Sequence, residues 1–144
     1  MIKKILIMGL PGSGKTTLAK VLALKLNAVM FNADEVRENI NKDLGFAMED
    51  RLEQAKRMGW LCDQIVKVGN FVIADFVCPT KEARQVFCKN GEAFIIWVNR
   101  IKESRFSDTN KIFIIPDKFD FEVINEGSAE EWAQKIYEKI ISKN

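Results

Sequence analysis

The stretch Met8-Gly9-Leu10-Pro11-Gly12-Ser13-Gly14-Lys15-Thr16-Thr17 stands directly behind the apolar run Ile5-Leu6-Ile7. Its spacing is G-x-x-x-x-G-K-[ST], the P-loop or Walker A pattern. Glycines at 9, 12 and 14 permit backbone angles that turn successive N–H groups inward around a phosphate. A helix opening at Lys15 adds its positive N-terminal end. Lys15 brings a full charge to the outer phosphates, and the Thr16 hydroxyl is suited to ligate magnesium. A Gly-rich turn from strand to helix with no nucleotide role is the competing reading. The strand before, the Lys-Thr pair and the apolar helix after all argue against it. Gly9, Pro11, Gly12, Ser13, Gly14, Lys15, Thr16 and Thr17 are therefore the expected contacts to ATP.

The rest of the chain alternates in period. Lys3–Met8 reads as a strand and Lys15–Leu26 as a helix with Leu18, Val21, Leu22 and Leu26 on one face. Ala28–Phe31 is a short strand and Asp34–Ile40 a helix. Met48–Val68 is a long helix, with Gly69 expected as its C-cap. Phe71–Phe76 is apolar enough to be a strand buried on both faces. A helix from Pro79-Thr80 to Lys89, a strand over Ala93–Val98 and a last strand at Phe121–Ile124 follow. The segment 100–118 reads as mobile, and Ser128-Ala129-Glu130-Glu131 is a capping box for a final helix. Strands separated by helices predict an α/β fold, a doubly wound parallel sheet of about five strands with right-handed crossovers. Ligands bind such a sheet at the carboxyl ends of its strands, where the P-loop already lies.

Length and composition narrow the chemistry. The 144 residues predict a single domain. Basic and acidic residues number 22 and 20 and form no basic stripe, so nucleic acid is not an expected partner. Histidine is absent, which excludes Ser-His-Asp and Cys-His catalysis and imidazole bases. Cys62, Cys78 and Cys88 lack metal-ligand spacing and read as reduced thiols of a cytoplasmic protein. Cys78 is expected to be a packed strand-end residue rather than a nucleophile. The start Met-Ile-Lys-Lys-Ile-Leu-Ile resembles a signal sequence only until it runs into the P-loop, and no segment reaches membrane-spanning length. A homodimer is kept as an assembly to test.

Past the P-loop, Phe-Val-Ile-Ala-Asp puts Asp75 at a strand end, where a Walker B carboxylate supports magnesium. An ordinary strand-end acid is the alternative. Asp34 and Arg37 lie three apart at the tip of the second strand and the first turn of the next helix. A carboxylate there can accept a substrate hydroxyl proton, and an arginine can grip an anion. Asp34 has a second reading as a helix N-cap, and Arg37 as a solvated cation. A GTPase switch is disfavoured, because no N-K-x-D segment occurs. Phosphoryl transfer to a small hydroxyl substrate fits better. Arg100 and Arg105 are candidate cations for the γ-phosphoryl group.

The runs "GLPGSGKTTLA", "NADEVRENINKDLGFAMEDRLEQAKRMGWLCD" and "VGNFVIADFVCPTKEAR" resemble the adenylylsulfate kinases, which phosphorylate the ribose 3′-hydroxyl of adenylyl sulfate. The family's corresponding segments read approximately D-G-D-N-V-R, L-N-x-D-L-G-F-S, E-D-R-x-E-N-I-R-R and F-I-S-P. The likeness covers about residues 3–90, with Asp34-x-x-Arg37, Asn41-x-Asp43-Leu44-Gly45-Phe46 and Asp50-Arg51 in order. It implies ATP as phosphoryl donor and Asp34 as the catalytic carboxylate; with the P-loop and strand-end readings above, Lys15, Asp34 and Asp75 form the expected catalytic set, and Thr16 and Asp75 the expected ligands of Mg2+. Arg37 and Arg51 would then bind the substrate's anionic group, Phe46 would stack on its base, and Gln54 would stand where the family has a substrate-binding Asn. Asp75 replaces the family's strand-end Ser, and F-I-S-P becomes Phe76-Val77-Cys78-Pro79. Beyond residue 98 the resemblance fails, and the family's long lid gives way to a shorter segment. Such short chains also look like a side group similar to a kinase acting on cytidine diphosphoramidate in surface-polysaccharide modification. A polynucleotide 5′-kinase and a nucleotide-binding regulator without transfer chemistry are further alternatives.

Overall fold

Strand β1 (Lys4–Met8) is buried along its whole length and lies in parallel between two neighbours, β3 (Val72–Asp75) and β4 (Phe94–Val98). The structure is a computed structural model and describes residues 1–142. The remaining elements, in chain order, are α1 (Lys15–Leu26), β2 (Val29–Asn32), α2 (Ala33–Asn39), α3 (Met48–Lys67), α4 (Lys81–Phe87), α5 (Ser107–Ile112), β5 (Phe121–Val123) and α6 (Ala129–Ser142). The five strands run in the order β2-β3-β1-β4-β5, all parallel. This is the doubly wound sheet expected from the alternation of strands and helices. The chain passes from β1 to an outer strand and back again through helices, so both faces are covered.

Period-two alternation divides the core. Ile5 and Ile7 point to one face and pack with Leu18 and Leu22 of α1 and Trp132 and Ile136 of α6. Leu6 and Met8 point to the other and pack with Met58 of α3, Phe87 of α4 and Trp97 of β4. Helices α3 and α4 approach so closely that a Cβ at Gly59 would lie 2.7 Å from the Phe87 carbonyl oxygen. At the amino end of β1 the Lys4 side chain, 2% exposed, donates to the Phe87 carbonyl and forms a 2.8 Å ion pair with Asp63. A buried ammonium thus finds both a carboxylate and the carboxyl end of a helix.

Element boundaries differ from the sequence reading by one or two residues, within the usual fraying of ends. Gly69 has φ +84° and donates its N–H to the Val66 carbonyl, closing α3 as expected. The Ser128 hydroxyl accepts from Glu131 N–H at the start of α6. Segment 100–118 contains α5. Asn110 ties its entry down, accepting from the Ser104 amide and hydroxyl at 2.9 and 2.7 Å and donating to the Ser104 carbonyl at 2.8 Å. Its exit is held by Ile114 N–H on the Pro79 carbonyl at 2.8 Å. Among the described residues no helix is long and apolar enough to cross a membrane.

Candidate active site

The loop from Gly9 to Gly14 joins the carboxyl end of β1 to α1, where the strand ends of the sheet converge. Gly9 passes so close to β4 that a Cβ there would meet the Val98 carbonyl at 2.7 Å. Gly14, with φ +94°, caps α1 in a left-handed conformation that other residues adopt only at a cost. The Lys15 ammonium is buried and donates to the Leu10 carbonyl at 3.0 Å, across the mouth of the loop. Burial lowers its pKa, and the carboxylates of Asp75 and Asp34 work against that lowering. A desolvated cation held by its own loop is ready for an anion. The Ser13 hydroxyl is buried with no hydrogen-bond partner, which leaves a polar group in the loop to be satisfied by a ligand.

Asp75 ends β3 and is 1% exposed. Its Oδ2 accepts from the Thr16 hydroxyl at 2.8 Å and from Asn32 Nδ2 at 2.8 Å. Its Oδ1 is buried and unpartnered. A carboxylate oxygen in that state calls for a cation. Among the described residues no group of three or more His, Cys, Asp or Glu gathers to cage a metal. Magnesium needs no such cage, since it binds through one or two protein oxygens together with phosphates and water. Thr16 and Asp75 fit that requirement.

A cleft of about 590 Å³ opens beside this cradle. Lys15, Thr16, Asp34, Arg37, Phe46, Arg51, Gln54, Asp75 and Arg105 all line it, with Pro11 and Gly12 at its phosphate end. Asp34 does not cap α2. The cap is Asn32, whose Oδ1 accepts from Glu35 N–H at 3.1 Å, and this removes the capping role considered for Asp34. The Asp34 side chain is instead 83% exposed, with one oxygen 4.0 Å from Arg37. Arg37 is largely buried, its Nε has no partner, and burial lowers its pKa against the pull of Asp34. The exposed Phe46 ring has two guanidiniums near it, that of Arg37 4.5 Å and that of Arg51 5.6 Å from its centre. Gln54 has its amide engaged at both ends, accepting from Asn41 and donating to the Ala33 carbonyl. It holds the wall of the cleft together.

Two wall residues went unrecognised in the sequence. The Thr109 hydroxyl, on α5, accepts from Arg51 Nη2 at 3.2 Å, and Arg51 Nε donates to the Phe46 carbonyl at 2.8 Å. Asp108 faces the same cleft and opposes the lowering of the Arg51 pKa that burial causes. Neither belongs to a motif of the P-loop or of the family segments quoted above. Asn32 is a third unrecognised residue, and its signal is an Asn at a strand end before two acidic residues, an N-cap pattern.

A second hollow of about 270 Å³ lies on the other side of the P-loop, between Gly14, Thr17, Arg100, Gly127 and Trp132. The structure therefore separates the two arginines of segment 100–118. Arg105 lines the large cleft, and Arg100 lines the small one, its Nη2 3.5 Å from the Gly127 carbonyl. Cys78 is fully buried, and burial raises its thiol pKa as it does that of Cys62, which is pushed up to about 12. Neither is a nucleophile at neutral pH.

The sequence pattern that defines the adenylylsulphate kinases matches residues 2–110. The chain belongs to that family. The match runs from the start of β1 into α5 and so includes every residue discussed for the large cleft. Among relatives of this adenylylsulphate kinase family member, the adenylyl-sulfate kinase of Gloeothece citriformis is 37% identical over 101 residues, 66% of this chain and 57% of that protein. The enzyme of Bacillus licheniformis is 42% identical over 85 residues, 56% of this chain and 43% of that protein. The chain thus spans about half the length of the relatives it matches. A Mycobacterium tuberculosis APS kinase, solved in complex with AMPPNP and APS, superposes with a TM-score of 0.86 at 21% identity, covering 98% of this chain and 99% of that one. Shikimate kinase from Aquifex aeolicus superposes with a TM-score of 0.68 at 19% identity, covering 97% of both chains. These likenesses establish the P-loop kinase fold.

Proposed function

We propose that this family member is a kinase that transfers the γ-phosphoryl group of ATP to the ribose 3′-hydroxyl of adenylyl sulfate. The observation that carries the reading is the pair of hollows flanking one phosphate cradle. The smaller, between Thr17, Arg100 and Trp132, receives the nucleoside end of ATP, and the larger receives the acceptor. The relatives' substrate and the cleft's chemistry agree: Arg37 and Arg51 suit the acceptor's anionic group, and Phe46 offers a ring face to its base.

In this mechanism Asp34 accepts the proton of the acceptor hydroxyl as its oxygen forms a bond to the γ-phosphorus, and the bond to the β-phosphate oxygen breaks to release ADP. Lys15 and the P-loop amides stabilise the phosphate oxygens, and Arg105 approaches from the acceptor side. Thr16 and Asp75 would hold magnesium, which would supply neutralisation of the phosphate charge. We read the chain as a single kinase domain over 1–144 with segment 100–118 as its lid, located in the cytoplasm and acting on a small nucleotide, with a homodimer as the assembly to test. The free thiols of Cys62, Cys78 and Cys88 support that location.

The deciding experiment offers ATP and magnesium with adenylyl sulfate, cytidine diphosphoramidate and a 5′-hydroxyl oligonucleotide, each separately, and identifies products by mass spectrometry. A 3′-phosphorylated adenylyl sulfate as the favoured product is expected. Turnover confined to another acceptor would replace the substrate, and tight binding without turnover on any would make the chain a regulator.

A further inference from the structure

Register pairs β2 with β3 so that Asn32 stands directly beside Asp75 at the two strand ends. The orientation of the Asn32 amide is decided by a neighbour with no ambiguity. Glu35 N–H can only donate, so the oxygen of the amide faces the helix and its nitrogen faces the sheet. That nitrogen donates to Asp75 Oδ2 at 2.8 Å and to the Thr16 hydroxyl at 3.2 Å, while the Thr16 hydroxyl donates to the same Oδ2 at 2.8 Å. Two donors therefore converge on one oxygen of Asp75, and the other oxygen, buried, has no partner.

From this geometry we propose that Asn32 is a positioning residue for the magnesium site: it pins Asp75 Oδ2 and orders the Thr16 hydroxyl, so that Asp75 Oδ1 and the remaining lone pair of Thr16 are left for the metal. The inference rests on the kinase reading above. An aspartate at a strand end rotates about its last side-chain bond with little resistance. Without Asn32 the rotatable Thr16 hydroxyl would be the single donor on Oδ2, so the carboxylate would be held less firmly and that hydroxyl could turn its hydrogen into the metal position. Asn32 removes both freedoms with one amide and caps α2 with the other end of the same group. The metal site is thereby coupled to the helix that carries Asp34 and Arg37. A carboxylate at position 32 would place two negative groups in contact, and a hydrophobic residue would leave Oδ2 with a single donor.

The test measures affinity for AMPPNP by calorimetry with and without magnesium, so that no acceptor is involved. In Asn32→Ala the magnesium-linked gain in affinity should fall by about tenfold, the usual cost of losing an outer partner of a metal ligand, while affinity without magnesium stays within twofold. A gain within twofold of the parent's overturns the proposal and leaves Asn32 a helix cap. Asn32→Asp keeps the cap and removes the donor, so it covers the case in which the alanine variant does not fold. It should melt several degrees below the parent in the absence of metal, because two carboxylates then touch, and recover when magnesium and AMPPNP are added. Parent-like melting, or a deficit that magnesium leaves unchanged, overturns the proposal. A parent with no magnesium-linked gain at all would instead bring down the kinase reading, and this inference with it.

Discussion

Arg51 on α3 donates to the hydroxyl of Thr109 on α5, 58 residues further along the chain, at 3.2 Å. That bond joins the last third of the chain to the wall of the large cleft and gives Arg51 one fixed direction. Thr109→Val keeps the shape and removes the acceptor. The KM for adenylyl sulfate should rise by roughly tenfold, as expected for one hydrogen bond to a charged group, while the KM for ATP stays unchanged. Steady-state kinetics with each substrate varied in turn checks it, and an unchanged acceptor KM would show Arg51 to be oriented without Thr109.

Lys15→Ala removes a buried cation from the mouth of the phosphate loop. Turnover should fall on the order of a hundredfold or more. A circular dichroism melt within a few degrees of the parent would establish that the loss is chemical. Activity within a factor of two of the parent would unseat the loop from its role.

Asp34 is exposed at the cleft and does not cap its helix, so Asp34→Asn reports on chemistry with little interference from stability. The turnover number should drop by roughly two to four powers of ten with ATP affinity preserved. Arg37→Ala should instead raise the acceptor KM strongly. Near-normal turnover in Asp34→Asn would direct the search for the catalytic carboxylate to Asp75.

Burial holds the thiols of Cys62 and Cys78 protonated well above the ordinary value near 9.0, that of Cys62 up to about 12. Unfolding releases them to lose their protons above pH 9, so the unfolded state then binds fewer protons than the folded one. Stability should therefore be flat in this respect below pH 9 and fall as pH rises beyond it, by on the order of 1 kcal/mol per pH unit per thiol. Urea unfolding at pH 8, 9 and 10 measures the slope. A stability that rises over that interval would contradict the burial of these groups.

Lys4→Met leaves Asp63 facing the core without its cation, at the end of the sheet away from the cleft. Breaking such a pair from one side should cost about 3–5 kcal/mol in chemical denaturation, while kcat of the folded fraction stays that of the parent. Lys4→Met/Asp63→Leu should regain most of the loss. A single variant as stable as the parent would mean that the buried pair is energetically idle.

Much of the candidate site is legible in the sequence. The P-loop is a contiguous run whose glycines, lysine and threonine act through backbone geometry within nine residues of chain, so reading it requires no tertiary information. Asp34 and Arg37 stand at helical spacing after a strand and were readable for the same reason. Arg100 and Arg105 were not separable: five residues apart in sequence, they fall on opposite sides of the phosphate loop. The Asp108-Thr109-Asn110 triplet was opaque because each side chain acts on a different partner, the cleft, Arg51 and the Ser104 turn.

By itself the sequence determined an alternating α/β chain, a P-loop at a strand end and the candidate side chains beside it, because period and local backbone conformation are short-range properties. The tertiary structure decided which of those side chains meet. Parallel register set Asn32 beside Asp75, and the position of α5 at the large cleft brought Thr109 to Arg51. Such meetings depend on the order in which strands join the sheet and on how helices cover it. Those are long-range choices in which burying both faces of β1 outweighs any preference of the residues that the fold then makes neighbours.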